Sequence, residues 1–312
     1  MTVDSRNLTP WPALPLSGWQ DTQETLHLWM QIVGKVKLEL TPFLNEWWNV
    51  AFALTPRGMT TGLIPSDAGA FGIDFDFIDH TLFVYASDGR TRSLPLASRS
   101  VATFYEELLA TLLAMGIAVV INPLPVEVPY PISSEIDHTH ATYDPGAAHR
   151  FWEILVRVEP VLQQFRSPFV GKSSPVNFFW GSFDLSATRF SGRPTSQPGG
   201  APYFLQLAES QENFACGFWP GNSTMSGVIF GEPAFYAYIY PEPAGFKDAS
   251  LRTELARYDP RFVQFLLRYD DARDTESLER TVLDFFSSAY EAAATLGGWD
   301  RSVLERLPLR GK

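Results

Sequence analysis

The side chains best suited to chemistry gather in a few places, and the first is the stretch GKSSPVNFFWGSFDLSATRFSGRP, residues 171–194, which sets an acid among aromatic and hydroxyl residues. Read as one strand, it places Phe179, Phe183, Leu185 and Ala187 on one face and Trp180, Ser182, Asp184, Ser186 and Thr188 on the other. The first face is core. A tryptophan beside Ser182 and Asp184, with Arg189 and Arg193 following, suits a concave surface that stacks a planar or sugar-like ligand and aims a few polar groups at it. Asp184 would then orient the ligand or act as a base. The plainer reading of the same alternation is a solvated face of an antiparallel sheet. Glu212, four residues before Cys216, could face Asp184 from a neighbouring strand and form a carboxylate pair.

The segment SSEIDHTHATYDPG supplies a second cluster, Glu135, Asp137, His138, His140, Tyr143 and Asp144. Its histidines could do acid–base work, and His140 and Asp137 are the candidates there; the competing reading is a turn, with Asp144 and Pro145 opening a helix. In FGIDFDFIDH, Asp74, Asp76 and His80 have a spacing that could reach a divalent cation, but alternation with Phe75 and Phe77 describes the wet side of a half-buried strand, so no metal is expected. His27, Gln31 and Lys35 step by four along a helix and read as its solvent face, although His27 lies between two leucines and could project into a helix-covered pocket. Cys216 reads as a small buried hydrophobe. No glycine-rich phosphate loop, serine elbow or paired-cysteine motif is present, and no cofactor is expected.

Composition narrows the partners. Thirty-five acidic residues against 24 basic ones give a net charge of -11, which repels nucleic-acid backbones and anionic lipid surfaces. The longest apolar run, LLATLLAMGIAVVI, falls short of the roughly 18 residues of a membrane span and reads as a helix followed by a strand. The first residues lack the basic start and apolar segment of a secretory signal, and a cytoplasmic location is expected.

These candidates must be positioned by a large core, since 45% of the 312 residues are hydrophobic and 14% aromatic. Leu26, Trp29, Met30, Val33 and Val36 predict a helix, followed by strands at EWWNVAFALT, MTTGLIP, AFGIDFDFI, TLFVYAS and TRSLPL between turn residues. Ser100 caps a second helix that Gly116 closes, and IAVVI adds a strand. The order then repeats: a helix over PGAAHRFWEILVRVEPVLQQF, strands at PVNFFWGSFDLSA, YFLQLAE, NFACGFW, AFYAYIYP and RFVQFLLRY, and a long closing helix. The expectation is an α+β protein of two related halves, each a mainly antiparallel sheet of about five strands flanked by helices, the product of an internal duplication. Residues 1–19 form a Pro/Trp-rich lead-in, 20–128 the first half, 129–146 a linker, and 147–312 the second half with a loop insertion near 190–202.

With TLHLWMQIVGKVKL, DGRTRSLPLASRSVATFY, SPVNFFWGSFDLSATRFSGR, CGFWPG and FYAYIYPEPAGF in this order, the chain resembles the bacterial family designated domain of unknown function 5996 over nearly its whole length. The resemblance brings no activity with it. In the family pattern a histidine often stands where this chain has Asn177, and another where it has Gln211; an amide keeps a hydrogen bond but neither relays a proton nor binds a transition metal well, which argues against a metalloenzyme. The sequence therefore points to a binder of an unidentified small molecule, able to do acid–base chemistry without a cofactor, with a non-catalytic structural or protein-interaction module as the alternative. No motif fixes a reaction, and the oligomeric state is not legible.

Overall fold

The computed structural model describes residues 10–67, 69–195, 203–222 and 229–306. The chain is α+β in two halves, each a six-stranded antiparallel sheet flanked by helices. Helix α1 (Gln20–Leu40) buries Leu26, Trp29, Met30, Val33 and Val36, the stripe its spacing predicts. Then come β1 (Ala53–Thr55), β2 (Gly58–Thr60), β3 (Ile64–Ser66), β4 (Gly69–Asp76), β5 (Thr81–Ala86) and β6 (Thr91–Pro95), in the order β1-β2-β4-β5-β6 with β3 beside β4. At the end of β4, Asp76 accepts the N–H groups of Ile78 and Asp79 and pairs with Arg57 at 2.5 Å, while His80 meets the Tyr143 hydroxyl at 2.9 Å. These residues hold a turn. Helix α2 (Val101–Ala114) is capped by the Ser100 hydroxyl, and Gly116 takes the left-handed conformation at its far end.

Residues 117–121, expected as a strand, form none. Ile117 and Ile121 bury, but Val120 is exposed, and the prolines at 123 and 125 remove N–H groups that a ladder would need. From residue 117 to 144 the connection runs without helix or strand.

The second half opens with α3 (Pro145–Arg166), whose first turn is capped by Asp144. It continues through β7 (Asn177–Phe179), β8 (Asp184–Pro194), α4 (Tyr203–Ala208), β9 (Gln211–Trp219), β10 (Ala234–Tyr240), β11 (Arg257–Asp259) and β12 (Gln264–Arg268), then α5 (Tyr269–Arg273), α6 (Leu278–Leu296) and α7 (Arg301–Leu304). The strand order is β11-β12-β10-β9-β8-β7. Two expected strands are corrected. PVNFFWGSFDLSA is a hairpin of β7 and β8 rather than one strand, and YFLQLAE contributes α4, a short apolar run for which periodicity does not separate helix from strand. Near 190–202 the chain stays in β8 as far as Pro194; residues 196–202 lie outside the described residues, as do residues 1–9 of the lead-in.

The two sheets meet edge to edge at a single bridge, where Phe52 and Phe178 exchange backbone hydrogen bonds of 2.9 Å. Helices α3 and α6 cover one face of the second sheet, burying Leu185 and Ala187 of β8, Phe214, Cys216 and Phe218 of β9, and Phe235 and Ala237 of β10. The opposite face carries Asp184, Ser186, Thr188, Asn213, Tyr236 and Tyr238, and these line a cleft.

Candidate functional site

The hairpin between β7 and β8 creates the central corner of the cleft. Phe183 takes φ +62°, in the left-handed region, and its N–H reaches the Phe179 carbonyl at 2.8 Å. The reversal sends its ring into the core, stacked on Phe151 at 5.2 Å and edge-on to Phe178 at 5.4 Å. Trp180 docks on α1 instead, donating to the Val50 carbonyl at 3.0 Å; its ring lies over Gly34 so closely that a Cβ there would stand 2.2 Å from it. Trp180, Ser182 and Asp184 thus share the cleft, as the sequence suggested, but a turn brings them together rather than strand alternation. Phe179, expected in the core, lines the cleft as well.

Asp184 has both carboxylate oxygens engaged, one by the Ser182 hydroxyl and the other by the Tyr236 hydroxyl. The tyrosine reaches it from β10 across the intervening strand β9. It can do so because Tyr236 lies opposite Gly217, where any Cβ would come within 2.7 Å of the phenol oxygen. Burial pushes the Asp184 carboxyl above its ordinary range, and the two donors partly offset that. Further along, Glu209 accepts from the Asn213 amide at 2.5 Å and is likewise raised by burial.

A third carboxyl, that of Glu127, hangs in from the connection between the halves. The residue is exposed, but its Oε1 turns inward over Gly181, at a place where a Cβ would stand 2.1 Å away. Its pKa is raised to about 7, first by burial of the carboxyl and then by the charge of Asp184. What holds this segment is the polar row of α1, which the sequence reading took for a solvent face and the structure shows buried. Gln31 makes paired bonds of 2.8 and 2.9 Å with the Val126 backbone, and Lys35 donates to the Asn122 and Leu124 carbonyls. His27 lies 2.9 Å from the Gly181 carbonyl, an acceptor that requires the proton on Nε2, and burial lowers its pKa to about 4. A polar row can face inward when the neighbour it meets is an irregular chain with unpaired backbone groups.

The cleft has a lobe of about 270 Å³, walled by Trp47, Trp48, Phe179, Trp180 and Phe190, with Asp184, Glu209 and Glu46 around it. A second lobe of about 440 Å³ shares Glu127, Ser182, Asp184, Tyr236 and Tyr238 and extends to His27, Trp219 and Phe262. Among the described residues the non-glycine positions in the left-handed region are Glu46, Trp47, His80, Glu127, Phe183 and Val263. Glu46, Trp47 and Glu127 line the cleft, and Phe183 and Val263 each sit between two residues that do. Each such residue costs of order 1–3 kcal/mol, and such strain characteristically collects at functional sites.

Several candidates stand elsewhere. Arg189 faces the helices, 3% exposed, with its guanidinium carbon 3.6 Å from the Phe165 ring centroid and its Nη2 donating to the Phe165 carbonyl; it is a core residue, because β8 alternation puts it opposite Thr188. Arg193 and Glu212 pair with each other at 2.6 Å at the far end of β8 and β9, so Glu212 does not face Asp184. Among the described residues the other acids lining the cleft are Glu46, Glu127 and Glu209, and the charge of Asp184 acts on Glu127. His140 Nδ1 bonds Asp137 at 2.7 Å, with Glu24 at 3.6 Å from Nε2, and Asp137 holds the imidazole pKa above its usual value. The backbone carbonyls of Asp137 and His140 accept from Ala102 and Val101, so this cluster clasps the start of α2 to α1 outside the cleft. Cys216 is buried against the helices, where burial raises its thiol pKa. Asn177 is buried with its Nδ2 unpartnered, and Gln211 stands at the edge of β9. Among the described residues no group of three or more His, Cys, Asp or Glu side chains is placed to hold a metal ion.

Sequence reasoning missed Glu127, Glu209, Tyr236 and Tyr238. A signal existed for the tyrosines, since alternation in AFYAYIY puts Tyr236, Tyr238 and Tyr240 on one face. Glu127 had none, as its place depends on where an irregular connection crosses.

Comparison with curated proteins and with solved structures finds no match in either set. The model of one family, described as a family of unknown function (DUF5996), matches residues 11–306, bearing out the resemblance seen in the motifs. Since the match takes in both sheets, the helices that cover them and every described residue of the cleft, the chain belongs to the DUF5996 family.

Proposed function

We propose that this cleft binds a small molecule with a flat or ring-shaped apolar face, and that Asp184 and Glu127 serve as its orienting and acid–base groups without a cofactor. One observation carries the reading: an aromatic-walled cavity on the free face of the second sheet surrounds carboxyl groups held in different environments. Aromatic walls supply stacking area, and a few convergent polar groups fix orientation. A carboxyl with a pKa near 7, as at Glu127, is suited to give or take a proton at neutral pH, whereas Asp184, bonded through both oxygens, is suited to orient.

The test is a fragment screen by protein-observed NMR on the parent and on Asp184→Asn. Fragments should perturb β8 and β10 resonances, and the variant should weaken them by about tenfold to a hundredfold, the worth of a charged hydrogen bond. Its melting temperature should stay within about 1.5 °C, the shift that a 1 kcal/mol effect gives a chain of this size. Fragments that bind elsewhere, or with unchanged affinity in the variant, refute the proposal.

A second reading, a partner-docking module, is favoured by the connection between the halves, where Val120, Tyr130 and Ile136 are 85%, 89% and 68% exposed. Binding confined to those resonances would support it. Among the described residues no helix is long and apolar enough to cross a membrane.

A further inference from the structure

We infer that the ligand of this cleft is a compact organic cation, an ammonium or guanidinium group on a ring or short-chain body. This rests on the preceding reading that the cleft binds a small molecule, and adds the sign of its charge.

Charge is the first ground. Among the described residues four carboxyl groups, Glu46, Glu127, Asp184 and Glu209, line the two lobes, and no lysine or arginine does. Outside the described residues, 68, 196–202 and 223–228 contain neither residue type, while residues 1–9 and 307–312 contain Arg6, Arg310 and Lys312. The remaining titratable groups facing Glu127 are Tyr236 and Tyr238, whose hydroxyls burial keeps protonated, and His27, which burial keeps neutral. Burial raises the carboxyl pKa at Asp184 and Glu209, as does burial of the carboxyl group at Glu127, and a bound cation would offset that cost.

An unpartnered atom is the second ground. Glu46 is 7% exposed and lines the lobe; its Oε1 pairs with Lys172 at 2.7 Å, but its buried Oε2 has no hydrogen-bond partner. A buried carboxylate oxygen left unmet is costly unless something bonds it. Glu46 is also held at φ 51° and Trp47 at φ 61°, strain that keeps this acid and this ring in the wall.

The wall itself supplies the third ground, since it already receives one ammonium. Lys172 Nζ stands 4.5 Å from the Phe190 ring centroid and 5.5 Å from that of Trp48 while it pairs with Glu46. Phe179, Asp184 and Glu127 line the same cleft and add a ring face and two carboxyl groups of the same kind. Ring faces and desolvated carboxylates together favour cations over neutral molecules of equal shape and reject anions.

The experiment is titration calorimetry with matched probes: benzylamine, benzyl alcohol and benzoate, then 1,4-diaminobutane against 1,4-butanediol. Each amine should bind at least tenfold more tightly than its alcohol, with benzoate giving no heat. Glu127→Gln and Glu46→Gln should each cut the amine affinity severalfold while leaving the alcohols within twofold; circular-dichroism melting confirms that the variants are folded. Alcohols or benzoate that match the amines in the cleft overturn the charge assignment and leave the small-molecule reading standing. Failure of both amines while neutral fragments still bind does the same, and a cleft that takes no probe or fragment of any charge removes both.

Discussion

Phe183 is the pin of the cleft corner, and its replacement has a magnitude that the structure sets in two parts. The ring is 1% exposed and touches Phe151, Phe178 and His27 at centroid distances of 5.2, 5.4 and 4.8 Å, so truncation to alanine should cost about 3–5 kcal/mol, as for other buried phenylalanines. The backbone adds a term of opposite sign for glycine. At φ +62° a Cβ carries a penalty of roughly 1–2 kcal/mol, which both phenylalanine and alanine bear and glycine does not. Glycine gives part of that back through greater freedom in the unfolded chain, about 0.4–1 kcal/mol. The expected order is therefore parent, then Phe183→Gly, then Phe183→Ala, the last two separated by up to about 1.6 kcal/mol, which reverses the usual ranking of alanine above glycine. Urea unfolding at pH 7, followed by tryptophan fluorescence, measures it through the midpoints at constant slope. Because Ser182 and Asp184 flank the pin, ligand affinity should fall in both variants while they remain folded. An alanine variant more stable than the glycine one would refute the left-handed corner, and losses under 1 kcal/mol in both would refute the burial of the ring.

Two further predictions concern residues on either side of the same sheet. Burial keeps His27 neutral in the fold down to about pH 4, whereas in the unfolded chain it takes its proton near 6.5; its contribution is complete above that value and is lost as pH falls from 6.5 through 4, by up to about 3 kcal/mol. Unfolding midpoints at pH 7 and 4.5 should therefore fall more steeply in the parent than in His27→Gln, and equal slopes would show that the ring is not buried neutral. Arg189 is a buried cation stacked on Phe165 and Tyr290, so Arg189→Met, which keeps its length, should lie within about 1.5 kcal/mol of the parent, while Arg189→Ala should lose about 3 kcal/mol to the hole it leaves. Unchanged ligand affinity is expected in Arg189→Met; a folded Met variant that no longer binds would return Arg189 to the site.

Local patterns in the chain were enough to determine the class and order of elements. Helical spacing at Leu26, Trp29, Val33 and Val36, the Ser100 and Asp144 caps and the Gly116 stop depend on contacts within a few residues, and each appears where the pattern puts it. The two-part α+β plan follows from the same local signals repeated. Two-residue periodicity also marked Trp180, Ser182 and Asp184 as companions, although the reason was a turn at Phe183 that alternation does not describe. Only the tertiary structure decided what faces that group. Glu127 reaches it because Gln31 and Lys35 hold an irregular connection by its backbone, Tyr236 because Gly217 leaves room across a strand, and Glu46 through a wall more than a hundred residues away in the chain. Arg189 and Glu212 went the other way, to the helix-facing side and to the far end of the sheet, because side and register are set when strands pair and not by residue type.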